Sequence, residues 1–399
     1  MSEWNRVPLE SLLKSGVSYG IVQPGSAEAT GVPIVRVKDV RNGRIDTSDP
    51  LRVSPDVEVK YSRTRLQGGE VLLTLVGSTG QVAIASDRLA GWNVARAIGV
   101  LRPISDISPR WLQYFIESED AQQYIREHLN TTVQATLNLK DVRVLPVPLP
   151  SRQEREGIIS VIGSLDDKIA VNERIAATYE QLLQCRYTQI GLSGEPDGPA
   201  AVPVTDLVSF NPKLTKPVAD EPVYVDMAAL QADRASIPTW TRRAPKSGPR
   251  FTNGDTLLAR ITPCLENGKT GYVDFMQDGE IGLGSTEFIV MRSRSGIPAE
   301  LSYFLARDSR FREHAIRNMV GTSGRQRVSA ADAANFLVNK PDAAALAVFG
   351  QEAPPAFAHM NSLQSESRTL ADLRNTILPQ LMSGRLRVKD AEKIVEDHT

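Results

Sequence analysis

Cysteine and histidine are scarce in this chain of 399 residues. Cys185 and Cys264 cannot form a disulfide framework or a cysteine zinc site, and four scattered histidines offer no histidine metal site. Long apolar runs are missing too. Stretches such as Val71-Leu72-Leu73 and Ile158-Ile159 fall far below the roughly 20 residues a membrane-spanning helix needs. The opening Met1-Ser2-Glu3-Trp4-Asn5-Arg6 has no apolar signal-peptide core, so a soluble protein of the cytoplasm is expected. Excess charge is likewise absent: 46 Lys+Arg against 47 Asp+Glu give a net charge of -1, which argues against indiscriminate nucleic-acid binding. No glycine-rich phosphate loop ends in Gly-Lys-Ser/Thr, and neither a dinucleotide fingerprint nor a nucleophile elbow is present. No catalytic, cofactor-binding or metal residue is therefore assigned to this chain.

What the chain does have is a text written nearly twice. Gly68-Gly69-Glu70-Val71-Leu72-Leu73-Thr74 returns as Asn253-Gly254-Asp255-Thr256-Leu257-Leu258-Ala259, and Tyr114-Phe115 returns as Tyr303-Phe304. Arg126-Glu127-His128 recurs as Arg312-Glu313-His314, and Ser193-Gly194 as Ser383-Gly384, at offsets of roughly 185 to 190 residues. Such a period is too long for a solenoid and implies two copies of one domain. With 41% apolar residues, the chain can bury two ordinary cores. The charge divides weakly between its parts: residues 1–150 hold 17 Lys+Arg against 16 Asp+Glu, and residues 198–341 hold 18 against 15. A modest basic face on each copy is thereby permitted.

After Pro146-Val147-Pro148-Leu149-Pro150 the pattern changes. Ser151 and Glu154 have capping-box spacing and predict a helix start. Its apolar positions follow a 4-3-4-3 alternation, Ile158, Ile162, Leu165, Ile169, Asn172, Ala176, Tyr179 and Leu183, which is a heptad seam. A helix of about 35 residues is about 50 Å long and needs a partner for that seam. The second copy is followed by a less regular seam, Met360, Leu363, Ser367, Leu370, Ile377 and Leu381, interrupted at Ser367 and Arg374. If each copy is followed by a helix leading toward the other, the two helices run antiparallel and the molecule is a dumbbell with a coiled-coil bar. Asn172 is read either as a buried register-fixing amide or as a partly exposed helix residue. Pro354-Pro355 is expected to start or kink the second helix, because proline lacks the amide that a helix interior uses.

Each copy reads as mixed: extended segments, a Gly-Asp/Glu turn into an apolar strand, a polar loop, another strand, then a helix such as that opened by Ser108-Pro109. The expected class is α+β, with two tandem pseudo-symmetric mixed α/β domains joined by an antiparallel two-helix coiled coil. The boundaries fall at 1–150 for the first domain, 151–192 for the first long helix, 193–341 for the second domain and 342–399 for the second helix and tail. Glu58-Val59-Lys60 after Pro55-Asp56 superficially suggests a nuclease carboxylate cluster, but it is too compact and has no counterpart in the second copy. The three residues of the doubled Arg-Glu-His point to different helix faces, so a structural histidine is the expected reading.

The order of domain, Leu145-Pro146-Val147-Pro148-Leu149-Pro150, long helix with Leu165-Asp166-Asp167-Lys168-Ile169 and Asn172-Glu173, second domain, and Leu378-Pro379-Gln380-Leu381-Met382-Ser383-Gly384 resembles the specificity subunits of type I restriction-modification systems. The resemblance spans almost the whole chain. One departure is Leu337-Val338-Asn339-Lys340-Pro341, which lacks the proline-rich form of the first junction. The resemblance implies a non-catalytic subunit with two target-recognition domains, each reading one half of a bipartite, asymmetric double-stranded DNA sequence. Two modification (methyltransferase) subunits would dock on the helices, and restriction (translocase/endonuclease) subunits would join them. S-adenosylmethionine, ATP and Mg would belong to those partners.

Direct readout of bases needs Arg, Lys, Asn or Gln on loops, while hydroxyls and backbone amides serve phosphates. The polar loops offer Ser78, Thr79 and Gln134 in the first domain, and Arg260, Lys269, Arg325, Gln326 and Arg327 in the second. Arg325-Gln326-Arg327 places three long donors on a segment shared by both copies. Two other classes stay open: a DNA methyltransferase or nuclease with its own activity, and a coiled-coil adaptor that binds only proteins.

Overall fold

The computed structural model describes residues 4–25, 28–130, 135–196, 201–244, 247–322 and 324–397. The chain divides into two compact units, Met1–Asp167 with Leu370–Thr399, and Lys168–Thr369. The division falls inside both long helices, Arg152–Gln189 and Ala343–Met382, so each unit comprises one domain and part of each helix.

In the first unit, apolar residues at successive positions of Val71–Thr74 and Ile98–Leu101 are buried on both faces. These two strands form the middle of a four-stranded antiparallel sheet, with Ser18–Tyr19 and Val82–Ile84 at its edges. A three-stranded sheet of Leu51–Val53, Val32–Val35 and Asn93–Val94 lies beside it in the chain's path. Helices Pro109–Glu117 and Glu119–Glu127 follow, the first burying Trp111, Leu112, Tyr114 and Phe115. Arg6–Pro8 pairs antiparallel with Pro146–Pro148, so the start of the domain is tied to its proline-rich end.

The second unit repeats this order. Val208–Phe210, Phe288–Ser293, Thr256–Ala259 and Thr270–Tyr272 form a four-stranded antiparallel sheet with the same strand succession. A second sheet orders Thr241–Arg242, Val223–Val225, Gly282–Gly284 and Arg250–Phe251. Helices Leu301–Arg307 and Ser309–Arg317 follow, and Ala201–Pro203 pairs with Leu337–Asn339 as the closing strand. The α+β class read from the sequence holds.

The doubled motifs have packing reasons. Glu70 accepts the Gln67 and Gly68 amides at 2.9 Å each and lies 3.4 Å from Arg102. Its counterpart Asp255 accepts the Thr252 amide at 2.8 Å and both arms of Arg292 at 2.6 and 2.7 Å. Each Gly-Asp/Glu turn thus buries a carboxylate that closes its own turn and meets an arginine in or just past the neighbouring strand. In the same way, the Tyr114 hydroxyl donates to Asp166 at 2.9 Å, and that of Tyr303 to Glu180 at 3.4 Å. Both carboxylates belong to the first long helix, so each domain grips that helix through a tyrosine. His128 stacks on Tyr124, and His314 Nε2 is 2.9 Å from the Asp332 carbonyl. Glu58 is buried, bridged to Arg65 and accepting from Asn93 at 2.9 Å, which makes it a structural carboxylate.

The first long helix opens with the capping box: the Ser151 amide donates to Glu154 Oε2 at 3.0 Å, and the Glu154 amide to Ser151 Oγ at 3.3 Å. Ile158, Ile162, Leu165, Asn172 and Leu183 are buried on it, and Ile169 and Tyr179 half-buried. On the second long helix Met360, Leu363, Leu370, Ile377 and Leu381 are buried. Within the second unit the helices run antiparallel: Lys168 pairs with Glu366, Asn172 with Ser367, Tyr179 with His359 and Arg186 with Glu352. Within the first unit Arg374 donates to Asp166 at 2.8 Å. Both interruptions of the second seam are therefore polar partnerships.

The expectation for Pro354-Pro355 is corrected. The second long helix starts at Ala343, where Asp342 accepts the Ala345 amide at 2.7 Å, and it continues through both prolines. Packing overrides the lost amides: Phe349, Ala353 and Phe357, around the prolines, are buried, with Phe349 and Phe357 5.7 and 6.2 Å from the Phe304 ring.

Candidate nucleic-acid interface

In each domain the central strand of the main sheet runs out into a polar loop, and that loop is bound by the segment preceding a short helix. In the first domain Val76 bridges antiparallel to Thr136, the Gly77 amide donates to the Ala135 carbonyl at 3.1 Å, and the Leu137 amide to Leu75 at 2.8 Å. In the second, Ile261 bridges antiparallel to Arg327, the Thr262 amide donates to Gln326 at 3.0 Å, and the Val328 amide to Arg260 at 3.0 Å. The backbone pairing is the same in both. The structure thereby brings most of the sequence-derived candidates together, one set per domain.

Their individual settings differ. Ser78 is exposed, its carbonyl accepting from the Thr74 hydroxyl at 2.5 Å, and half-buried Thr79 donates to the Ala135 carbonyl at 3.3 Å. Gln134 lies outside the described residues. Lys269 donates from Nζ to the Met227 carbonyl at 3.0 Å, so part of its donor capacity holds a loop. Gln326 is half-buried and its amide donates to Thr262 Oγ1 at 3.0 Å. Arg325 is exposed, with no side-chain hydrogen bond among the described residues.

The residue the sequence reading missed is Glu287. Arg327 donates to it with both Nε (2.7 Å) and Nη2 (2.6 Å), and Arg260 Nε stands 3.7 Å from the same carboxylate. The Arg327 hydrogen bonds hold the Glu287 carboxyl below its usual range, with Arg260 and Arg325 adding to the effect. Three arginines around one carboxylate leave the spot positive, although the whole chain is near neutral. An acidic residue gives no signal in a search for DNA contacts; only the strand register that carries it beside Arg260 could have found it.

The strand pairing also shows what occupies this place in the first domain. The Leu75 amide donates to the Ala97 carbonyl at 2.7 Å, as the Arg260 amide does to Glu287 at 3.0 Å. Leu75, Ala97 and Thr136 thus stand where the second domain has Arg260, Glu287 and Arg327. One scaffold carries two chemistries. Among the described residues no group of three or more His, Cys, Asp or Glu could hold a metal ion, and no helix is long and apolar enough to cross a membrane.

Each unit thus combines a four-stranded antiparallel sheet with a polar loop bound by the same backbone pairing. Residues 1–181 match the family described as type I restriction modification DNA specificity domain. The specificity subunit of the type I restriction enzyme EcoBI of Escherichia coli is 28% identical over 166 residues, 41% of this chain and 35% of that protein. That of EcoEI, also of Escherichia coli, is 24% identical over 211 residues, 51% of this chain and 35% of that protein. The matching stretches thus span about a third of the length of these relatives. Among solved structures, the type I restriction-modification S subunit from M. genitalium superposes with a TM-score of 0.53 at 12% identity, covering 95% of this chain and 96% of that one. The family match is thus confined to residues 1–181, while the likeness in fold to the M. genitalium S subunit runs along nearly the whole chain.

Proposed function

We propose that this chain is the DNA-specificity subunit of a type I restriction-modification complex, with each domain reading one half of a bipartite, asymmetric target. The observation that carries the proposal is the shared backbone pairing at 75–77 with 135–137 and at 260–262 with 326–328, dressed with different side chains. Two readers of different half-sites require that combination: a common way of presenting a loop and different groups on it. Modification subunits dock on the long helices, and restriction subunits complete the nuclease. The chain does no chemistry of its own; S-adenosylmethionine, ATP and Mg enter with the partners.

The test is to purify the chain together with a methyltransferase encoded beside it and to map adenine methylation genome-wide in cells with and without this subunit. A single bipartite motif that disappears on deletion supports the proposal. Unchanged methylation, together with no DNA binding by the assembled complex, overturns it in favour of a protein-only adaptor; methylation or cleavage by the isolated chain overturns its non-catalytic role.

A further inference from the structure

We infer that Arg327 reads a guanine in the half-site of the second domain, and that Glu287 positions it to do so. The inference rests on the DNA-reading role proposed above. A guanidinium has five N–H donors in a rigid plane. Arg327 gives one from Nε and one from Nη2 to the two oxygens of Glu287, at 2.7 and 2.6 Å. The three donors that remain are the two on Nη1 and the second on Nη2. The Nη1–Nη2 edge is therefore left as a two-donor fork, and that fork matches O6 and N7 of guanine in the major groove.

The arginine is also held at its root. Its amide donates to the Val320 carbonyl and its carbonyl accepts the Val320 amide, both at 2.9 Å, while the residue bridges to Ile261 on its other side. A side chain fixed at both ends loses little freedom on binding, so its fork is already oriented when a base arrives. The head still reaches solvent, with 35% of the Arg327 side chain exposed. Arg260 makes the cluster an attractive one for DNA: its Nε is buried 3.7 Å from Glu287 with no hydrogen-bond partner among the described residues, so the carboxylate faces two guanidiniums and the net charge stays positive. The first domain has Leu75, Ala97 and Thr136 at these places, so the guanine contact is confined to one half-site.

The experiment selects duplexes from a randomised pool with the chain co-purified with its methyltransferase, comparing the wild type with Arg327→Ala, Arg327→Lys and Glu287→Gln. The wild type is expected to enrich a bipartite motif with a guanine in one half, and Arg327→Ala to lose preference at that single position by about 10- to 100-fold. Arg327→Lys keeps the charge and the overall binding but loses most of the guanine preference, because an ammonium has no fork. Glu287→Gln weakens the preference less than Arg327→Ala. Replacing the guanine with 7-deazaguanine weakens wild-type binding and leaves the Arg327→Ala complex unaffected. Should Arg327→Ala fail to assemble, Arg327→Lys and the 7-deazaguanine duplex carry the test alone. An unchanged motif in the Arg327 variants makes the Arg327–Glu287 pair purely structural and overturns the inference. A uniform loss of binding with every base preference kept makes Arg327 a phosphate contact and also overturns it. A wild-type complex that enriches no bipartite motif instead removes the proposed function beneath it.

Discussion

The Asn172 side-chain amide donates to the Ser367 hydroxyl across 3.2 Å, inside an otherwise apolar stretch of helix packing. The same nitrogen reaches Glu366 Oε2 at 2.7 Å, while Oδ1 is buried with no partner among the described residues. A seam of leucines and isoleucines can slide by a heptad at little cost, whereas this amide finds a hydroxyl and a carboxylate in one alignment only. The polar break in one seam thus answers the polar break in the other.

Asn172→Asp removes the donors and sets a buried carboxylate against Glu366. Stability should fall by about 1–3 kcal/mol, seen as a lower urea midpoint at unchanged slope. Asn172→Leu, which removes a half-satisfied amide, should leave stability equal or higher while permitting other registers; a lower midpoint for the leucine variant would contradict this account.

The turn carboxylates rank by their partners. Asp255→Ala strands Arg292 and the Thr252 amide around a fully buried position and should cost about 3–5 kcal/mol. Glu70→Ala should cost less, because Arg102 stands 3.4 Å away and the loss is chiefly that of two amide contacts. Denaturant unfolding of both variants checks the order.

How much of this was legible follows from which signals are local. The heptad seam and the Ser151–Glu154 cap depend on spacing alone, and both the buried positions and the cap hydrogen bonds follow them. The repeated Gly-Asp/Glu turn was visible, but its reason was not: the arginine that meets each carboxylate, Arg102 just past one strand or Arg292 within another, lies more than 30 residues further on. Ser367 and Arg374 looked like faults in a seam because their partners, Asn172 and Asp166, are some 200 residues away in the chain. Pro354-Pro355 misled for the same cause, since the tertiary packing that keeps the helix intact is non-local. At the candidate site, the basic residues are legible by type, whereas the pairing of Glu287 with Arg327 arises only through strand register and leaves no local signal.

Asp274 supplies a pH test. Burial beside Ile237, Trp240, Phe275 and Met276 pushes its carboxyl up to about 7, well above the unfolded value of 3.8. Between those values the folded state binds more protons than the unfolded one, so this contribution to stability is full below about pH 4 and is lost as pH rises through 7. Asp274→Asn should therefore be more stable than the wild type at pH 8, by up to about 4 kcal/mol, with the difference vanishing near pH 4. A wild type and variant that melt in parallel across this range would rule out the elevated carboxyl.

Arg325 and Arg327 are two residues apart but differ in kind, and the difference can be measured. Arg327 is pinned on both its backbone and its head, whereas Arg325 is exposed with its head free of side-chain hydrogen bonds among the described residues. An exposed guanidinium that no side chain orients suits a phosphate, which any sequence offers. Arg325→Ala should accordingly weaken binding of the assembled complex to cognate and unrelated duplexes by a similar factor, and should lower the slope of log affinity against log salt by about 1. The motif selected from a random pool should stay the same. A titration over several salt concentrations decides the point: an unchanged slope leaves Arg325 away from the DNA, and a changed motif with an unchanged slope would make it, too, a reader of bases.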